Sequence, residues 1–209
     1  MSKFVKWLSN YWYHYKLRTI LCLFFAIVIA VSVFEFATRE TYDIKVCFYT
    51  SKFVSSEMID ALEKTVEDVY KSNGEDKNVQ VINLSYDPYK TSDGEQRMSY
   101  ASALAAELRL KEHYLYITDK YRFNELDENE VFNNVFLKDE MFETFDNKAF
   151  SLKSSNFEKT FEKQLAKNGV SNKEIELYVS LLTPPEKSSK NYENFDKAKS
   201  LAEFIIKEG

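Results

Sequence analysis

Short groups of phenol, hydroxyl and carboxylate side chains follow three segments of this chain that alternate like β-strands. Such groups can hydrogen-bond a polar ligand, and an exposed tyrosine can also stack on an apolar one. In an open parallel sheet, ligands bind beyond the carboxyl ends of the strands, where the strand order reverses. The alternative is that these loops are polar only because water surrounds them. The ligand site predicted at the strand ends consists of Tyr49, Thr50, Ser51, Tyr86, Asp87, Thr118 and Asp119.

Motifs of the known catalytic and metal-binding classes are missing from the sequence. It contains no Gly-x-Ser-x-Gly, Ser-x-x-Lys or His-Glu-x-x-His, and its four glycines form no phosphate-binding loop. Cys22 lies in an apolar run and Cys47 in a predicted strand, so we expect no disulfide and a buried, inert Cys47 thiol. His14 and His113 have no nitrogen or sulfur ligand nearby in sequence. The sequence therefore predicts no enzyme, no metal site and no cofactor.

An uncharged apolar run over residues 20–34 dominates the N-terminal part. Spanning a hydrocarbon core of about 30 Å takes about 20 helical residues. The run reaches that length if Arg18 and Glu35 lie at the two interfaces, where a long cationic side chain can extend to the headgroups. We therefore predict a transmembrane helix over residues 19–38.

Aromatic and basic residues precede the apolar run at helical spacing. Tryptophan and tyrosine favour the headgroup layer of a bilayer, where the ring is half buried and its polar edge stays hydrated. Residues 1–18 are therefore predicted to form an interfacial helix on the cytoplasmic side. Its predicted interface residues are Trp7, Tyr11, Trp12, Tyr15, Lys16 and Arg18.

Charge predicts the orientation of the segment. Residues 1–38 hold Lys3, Lys6, Lys16 and Arg18 against the single acid Glu35, although the whole chain has a formal net charge of −5. Positive flanks stay in the cytoplasm, so the N-terminus is predicted inside and the rest outside. A cleaved signal peptide, with an apolar stretch of about 7–15 residues, is the alternative. No Ala-x-Ala site follows the run, which favours an uncleaved single-pass anchor in the cell membrane.

Residues 39–209 have the pattern of one α/β domain. Alternating residues predict strands at 42–49, 79–84 and 114–118. Helical spacing between them predicts helices from 55 to 72 and from 95 to 111. Because β-α-β crossovers are right-handed, this βαβαβ order indicates a mainly parallel sheet with strand order 2-1-3.

The second predicted helix should pack one apolar face on the sheet; its residues are Met98, Ala101, Leu104, Ala105 and Leu108. Farther on, Ser155 and Glu158 form a capping box that opens another helix. Residues 174–183 fit either a strand or a helix, and β-branched content and the prolines that follow favour a returning strand. A last helix, with Phe195 and Ile205 on its apolar face, completes the domain.

The order of these elements resembles a family of known fold. The leader NYWYHYKLRTI followed by the strand YDIKVCFYT resembles short single-span proteins whose outer domain is similar to one lobe of the type II extracellular solute-binding proteins. The segment MSYASALAAELRLKEHYLYITD is similar to the helix and strand before their ligand-side loop, and ELYVSLLTPP to their returning crossover strand. A complete binding protein of this type has two lobes, whereas residues 39–209 suffice for one.

The resemblance implies a membrane-tethered extracytoplasmic binding or interaction module. Its expected partners are the lipid bilayer and a small solute or a membrane protein such as a transporter or a sensor. An acidic domain is not expected to bind nucleic acid. The alternative is a structural envelope protein that makes protein–protein contacts without a small-molecule ligand.

Overall fold

The computed structural model describes residues 3–38, 42–52, 54–87, 94–128, 130–132, 144–145, 148–170 and 175–207. The chain divides into two compact units, Met1–Thr41 and Tyr42–Gly209. Each unit has its own architecture.

The first unit is a single helix, α1 (Lys3–Thr38). Within its segment Asn10–Ala37, the most apolar window of 18 residues has a mean hydropathy of 2.7, and the segment is long and apolar enough to cross a membrane. The sequence predicted an interfacial helix and then a transmembrane helix. The described residues of these two predicted segments form one continuous helix, since neither proline nor glycine interrupts residues 3–38.

An aromatic row runs along one side of the first turns of α1. The rings of Phe4, Trp7, Tyr11 and Tyr15 stack successively, with centroids 6.2, 5.7 and 5.2 Å apart. The spacing of three or four residues places these side chains on one helix face. The guanidinium of Arg18 lies 6.0 Å from the Tyr15 ring centre. The six predicted interface residues are all exposed on this helix.

The second unit is a sheet of six described strands with helices on its faces. The strands are β1 (Ile44–Tyr49), β2 (Val79–Asn83), β3 (Leu115–Asp119), β4 (Thr144–Phe145), β5 (Ala149–Ser151) and β6 (Leu177–Leu181). The helices are α2 (Ser56–Ser72), α3 (Gly94–Leu110), α4 (Lys120–Asp127), α5 (Asn156–Lys167) and α6 (Tyr192–Lys207).

The strand order is β2-β1-β3-β6-β5-β4. Strand β1 pairs in parallel with β2 and β3, and β6 returns antiparallel beside β3. The predicted fold class, the order 2-1-3 and the returning strand are confirmed, and residues 177–181 form a strand rather than a helix. The short antiparallel hairpin of β4 and β5 extends the sheet beyond that prediction.

One face of the sheet carries the main apolar core. Phe48, Ile117 and Val179 are neighbours across three strands and are fully buried. This face packs against α2, α5 and α6, each of which turns an apolar stripe inward, and serine caps begin α2 and α5. Ser155 caps α5 by accepting a hydrogen bond from the Glu158 backbone nitrogen at 3.0 Å, as the capping box predicted.

Helix α3 lies on the opposite face and differs from its prediction. Leu104 and Leu108 are partly buried against the core, but Ala101 and Ala105 are exposed and Met98 is 72% exposed. The prediction of an inward face through all five residues is therefore wrong. Alanine methyls bury little apolar area, so small residues at helical spacing did not determine which side of this helix meets the sheet.

Candidate functional site

The carboxyl ends of β1, β2 and β3 meet at one edge of the sheet, and Asp119 connects them. Its Oδ2 accepts hydrogen bonds from the Ser51 backbone nitrogen at 2.7 Å and from the Ser51 hydroxyl at 2.5 Å. Its Oδ1 accepts from the Arg122 backbone nitrogen at 2.9 Å, which makes Asp119 the N-cap of α4. One carboxylate therefore fixes the loop after β1 to the helix after β3.

The other polar groups predicted at this edge are also buried or bonded within the protein. The Thr50 backbone nitrogen donates to Ser85 Oγ at 2.8 Å, and that hydroxyl donates to the Phe48 carbonyl at 3.2 Å. Thr50 and Thr118 are fully buried. Asp87, which follows β2 in the chain, is half-buried.

Arg122 fills the space between these strand ends on the α3 face. Its side chain is only 1% exposed, and its guanidinium carbon lies 4.7 Å from the Tyr49 ring centre and 4.1 Å from that of Tyr86. Nη1 donates to Glu125 Oε2 at 2.6 Å and Nη2 donates to the Tyr86 carbonyl at 3.0 Å. The Tyr86 ring in turn stacks on Tyr100 of α3, with centroids 5.2 Å apart.

This stack changes the ionisation of its members. Burial is the main cause that raises the pKa of Tyr49, although the Arg122 cation opposes it. For Arg122, burial lowers the pKa, but the hydrogen bond to Glu125 and the neighbouring Tyr49 outweigh that effect and raise it. At neutral pH a charged guanidinium therefore lies against the neutral phenol of Tyr49.

The structure brings the seven predicted residues to one edge, as the strand order required. It does not leave a crevice between the first and third strand ends within the described residues, because Asp119, Ser51 and Arg122 fill that position. Sequence reasoning missed Arg122 and Glu125. The sequence pattern that could have identified them follows β3 directly: an N-cap residue, Asp119, with an arginine three positions later and a glutamate three positions after that. This spacing predicts a capped helix with an i,i+3 ion pair between Arg122 and Glu125.

A groove of about 680 Å³ opens beside this edge, on the face of α2 and α5. We call it the strand-edge groove. Phe48, Met58 and Phe157 contribute apolar lining, and Tyr121 at its side is 53% exposed. Of the seven predicted site residues, Asp119 lines this groove. Its size is within the range of small-molecule sites, which is about 300–1,000 Å³.

Charged side chains of both signs surround the apolar lining. They are Lys52, Lys120, Lys153, Glu158, Glu162 and Glu176. Lys153 Nζ lies 2.9 Å from Glu176 Oε1, and this ion pair lowers the pKa of Glu176. A lining with apolar and oppositely charged side chains can hold a ligand that has apolar and charged parts.

The chain matches no protein-family model, and neither a curated protein nor a solved structure is significantly similar to it. The resemblance to a solute-binding lobe therefore stays a prediction.

Proposed function

We propose that the protein is a membrane-tethered binding module that holds a small amphipathic solute, such as an amino acid or a short peptide, in the strand-edge groove. The observation that carries this proposal is an apolar groove with cationic and anionic side chains around it, beside the carboxyl ends of parallel strands. Such an arrangement can bury a side chain while it pairs an amino and a carboxylate group.

The location follows from the same proposal. Helix α1 is the anchor, its N-terminal positive charges stay in the cytoplasm, and the second unit is extracytoplasmic. A bound solute could then be passed to a membrane protein such as a transporter or reported to a sensor. Protease added to right-side-out vesicles should remove the second unit, whereas protection in these vesicles and cleavage in inverted ones would reverse the assigned orientation.

Ligand binding can be tested with the full chain in nanodiscs. Thermal unfolding is measured against amino acids, di- and tripeptides and sugars. A solute at 100 times its dissociation constant adds about 2.7 kcal/mol, which corresponds to an increase in Tm of about 5–10 °C for a unit of this size. If none of these solutes raises Tm, the proposal is refuted.

Two charge reversals give the matched comparison. Lys153 lines the groove, whereas Lys163 is exposed on α5 and does not line it. Lys153→Glu should weaken binding of a carboxylate-bearing solute at least about tenfold, and Lys163→Glu should leave it unchanged. Equal effects of the two substitutions would mean that the ligand binds elsewhere.

A structural envelope role is the second candidate, because one observation favours it. Helix α3 exposes large apolar side chains, with Met98 72%, Leu110 58% and Tyr100 38% exposed. A photo-crosslinker at Met98 in native membranes tests it. Abundant crosslinks to a second protein, unaffected by solutes that fill the strand-edge groove, would favour this role over solute binding.

A further inference from the structure

Three potential metal ligands meet between α3 and the sheet, away from the strand-edge groove. Cys47 lies in the middle of β1, Glu107 in the last turns of α3, and His113 just before β3. Each offers one ligand atom, and these atoms all lie within 4.8 Å of one another. Glu107 Oε1 and His113 Nδ1 are paired directly.

The three side chains are shielded from water. Cys47 is fully buried, and the side chains of His113 and Glu107 are 12% and 13% exposed. Cys47 alternates with Val46 and Phe48 along β1 and therefore points away from the main core, toward α3. A sulfur, a nitrogen and an oxygen ligand thus face one another in a confined space.

Tyr116 supplies an independent observation at the same place. It is the neighbour of Cys47 across the strands and is fully buried. Among the described residues its hydroxyl has no oxygen or nitrogen partner, and beside it lies the thiol of Cys47, which is a weak acceptor. This buried hydroxyl therefore lacks a strong hydrogen bond, and a ligand within its reach that offers an oxygen or nitrogen atom would stabilise it.

We propose that Cys47 Sγ, His113 and the Glu107 carboxylate form a binding site for a borderline transition-metal dication, with Zn²⁺ as the preferred ion. Thiolate, imidazole and carboxylate are the ligands that zinc takes in proteins. Tetrahedral zinc bonds place ligand atoms about 3.3–3.6 Å apart. Side-chain movements of about 1 Å bring the present atoms to that separation. Three protein ligands would leave a fourth position of a tetrahedral ion open.

The cluster is better suited to binding a metal than to nucleophilic catalysis. Burial is the main cause that raises the pKa of Cys47, and the nearby Glu107 charge raises it further. A protonated, fully buried thiol does not attack a substrate. A bound dication would favour the deprotonated form of the Cys47 thiol, because the ion replaces the thiol proton and offsets the desolvation of both anionic ligands.

The metal would attach α3 to the sheet. Leu104 and Leu108 are the partly buried large aliphatic residues with which this helix packs against the core, so apolar burial holds it weakly. Coordination links Glu107 of α3 directly to Cys47 of β1. Metal binding is therefore coupled to the packing of the helix whose exposed side carries Met98 and Leu110.

The full chain in detergent micelles, treated with a chelator and then dialysed, tests the site. Zn²⁺ should bind with one equivalent per chain and raise Tm. Co²⁺ should give the near-ultraviolet charge-transfer absorbance of a thiolate ligand. This experiment requires no solute, so its result is independent of the proposed function.

The chain offers matched controls, because it contains two cysteines and two histidines. Cys47→Ser and His113→Asn should abolish the cobalt–thiolate band and reduce Zn²⁺ affinity at least about tenfold, whereas Cys22→Ser and His14→Asn should leave both unchanged. Circular dichroism of each variant checks folding. His113 and Glu107 are partly exposed, so their substitution disturbs folding less than that of Cys47. If Cys47→Ser does not fold, the Zn²⁺ affinities of His113→Asn and Glu107→Gln test the metal site instead. Wild-type affinity in both, or a cobalt band that survives Cys47→Ser, overturns the proposal.

Discussion

Replacement of Arg122 by methionine should destabilise the second unit by about 2 kcal/mol. Methionine keeps an unbranched side chain between the Tyr49 and Tyr86 rings but removes the guanidinium. Each cation–π contact is worth about 0.5–2 kcal/mol, and a charged hydrogen bond such as that to the Tyr86 carbonyl about 1.5–3 kcal/mol. Burying the cation costs free energy that offsets part of the cation–π and hydrogen-bond contributions, so the expected net loss of stability is about 2 kcal/mol.

The remaining partners limit the loss. The side chain of Glu125 is 45% exposed, so water can solvate its carboxylate when Arg122 is gone, and Tyr49 still donates to it at 3.1 Å. For a unit of this size, about 2 kcal/mol lowers Tm by about 4–8 °C. Thermal unfolding of the full chain in detergent, followed by near-ultraviolet circular dichroism of the tyrosines, measures the shift.

Arg109 provides the control, because it is an exposed arginine on α3. Arg109→Met should change the free energy of unfolding by less than about 0.5 kcal/mol. Arg122→Lys separates charge from shape. Lysine keeps the charge but lacks the planar group that stacks between rings, so it should recover less than half of the loss. A Tm for Arg122→Met within 1–2 °C of the Arg109→Met value would refute the assigned role of the stack.

Three further perturbations test other parts of the molecule. Ser155→Ala removes the cap of α5 and should lower the free energy of unfolding by about 1 kcal/mol, as measured by thermal unfolding. Burial raises the pKa of Tyr49 and Tyr116 above the ordinary value of about 10. The unfolded chain loses these protons first, so the contribution of these two tyrosines to stability should be constant below about pH 10 and decrease above it; parallel titrations of tyrosinate absorbance and circular dichroism would show whether ionisation and unfolding coincide. Val28→Glu in α1 should cost about 2.5–3.5 kcal/mol of membrane insertion and increase the carbonate-extractable fraction, whereas Val28→Leu should not.

Much of the fold could be predicted because it depends on local patterns. Alternation identified β1, β2 and β3, and the order of strands and helices then determined how they pair. The capping box at Ser155 located the start of α5. The segment 174–183 fitted a strand or a helix by its pattern alone. Its residues Leu177–Leu181 form β6 because they pair with β3, and this long-range pairing cannot be seen in the segment itself.

The candidate sites were less predictable, because they combine residues that are distant in sequence. Sixty residues separate Cys47 from Glu107, and only the parallel pairing of β1 with β3 brings them together. Arg122 could have been expected on an exposed helix, as arginine usually is. Its burial depends on Tyr49 at the end of β1 and on Tyr86 in the loop after β2. Polar residues at strand ends were predicted to surround a ligand, but in the structure Asp119 accepts hydrogen bonds from Ser51, while Tyr49 and Tyr86 contact Arg122.

The two tryptophans of the chain, Trp7 and Trp12, both belong to α1, while the second unit contains tyrosine as its emitting residue. Light that excites indole selectively therefore reports only on the anchor helix and its surroundings. The wavelength of maximum tryptophan emission would distinguish a lipid from an aqueous environment around that helix, independently of whether the second unit is folded. The chain thus carries a native fluorescent label on one unit, and insertion and unfolding can be followed separately in the same sample.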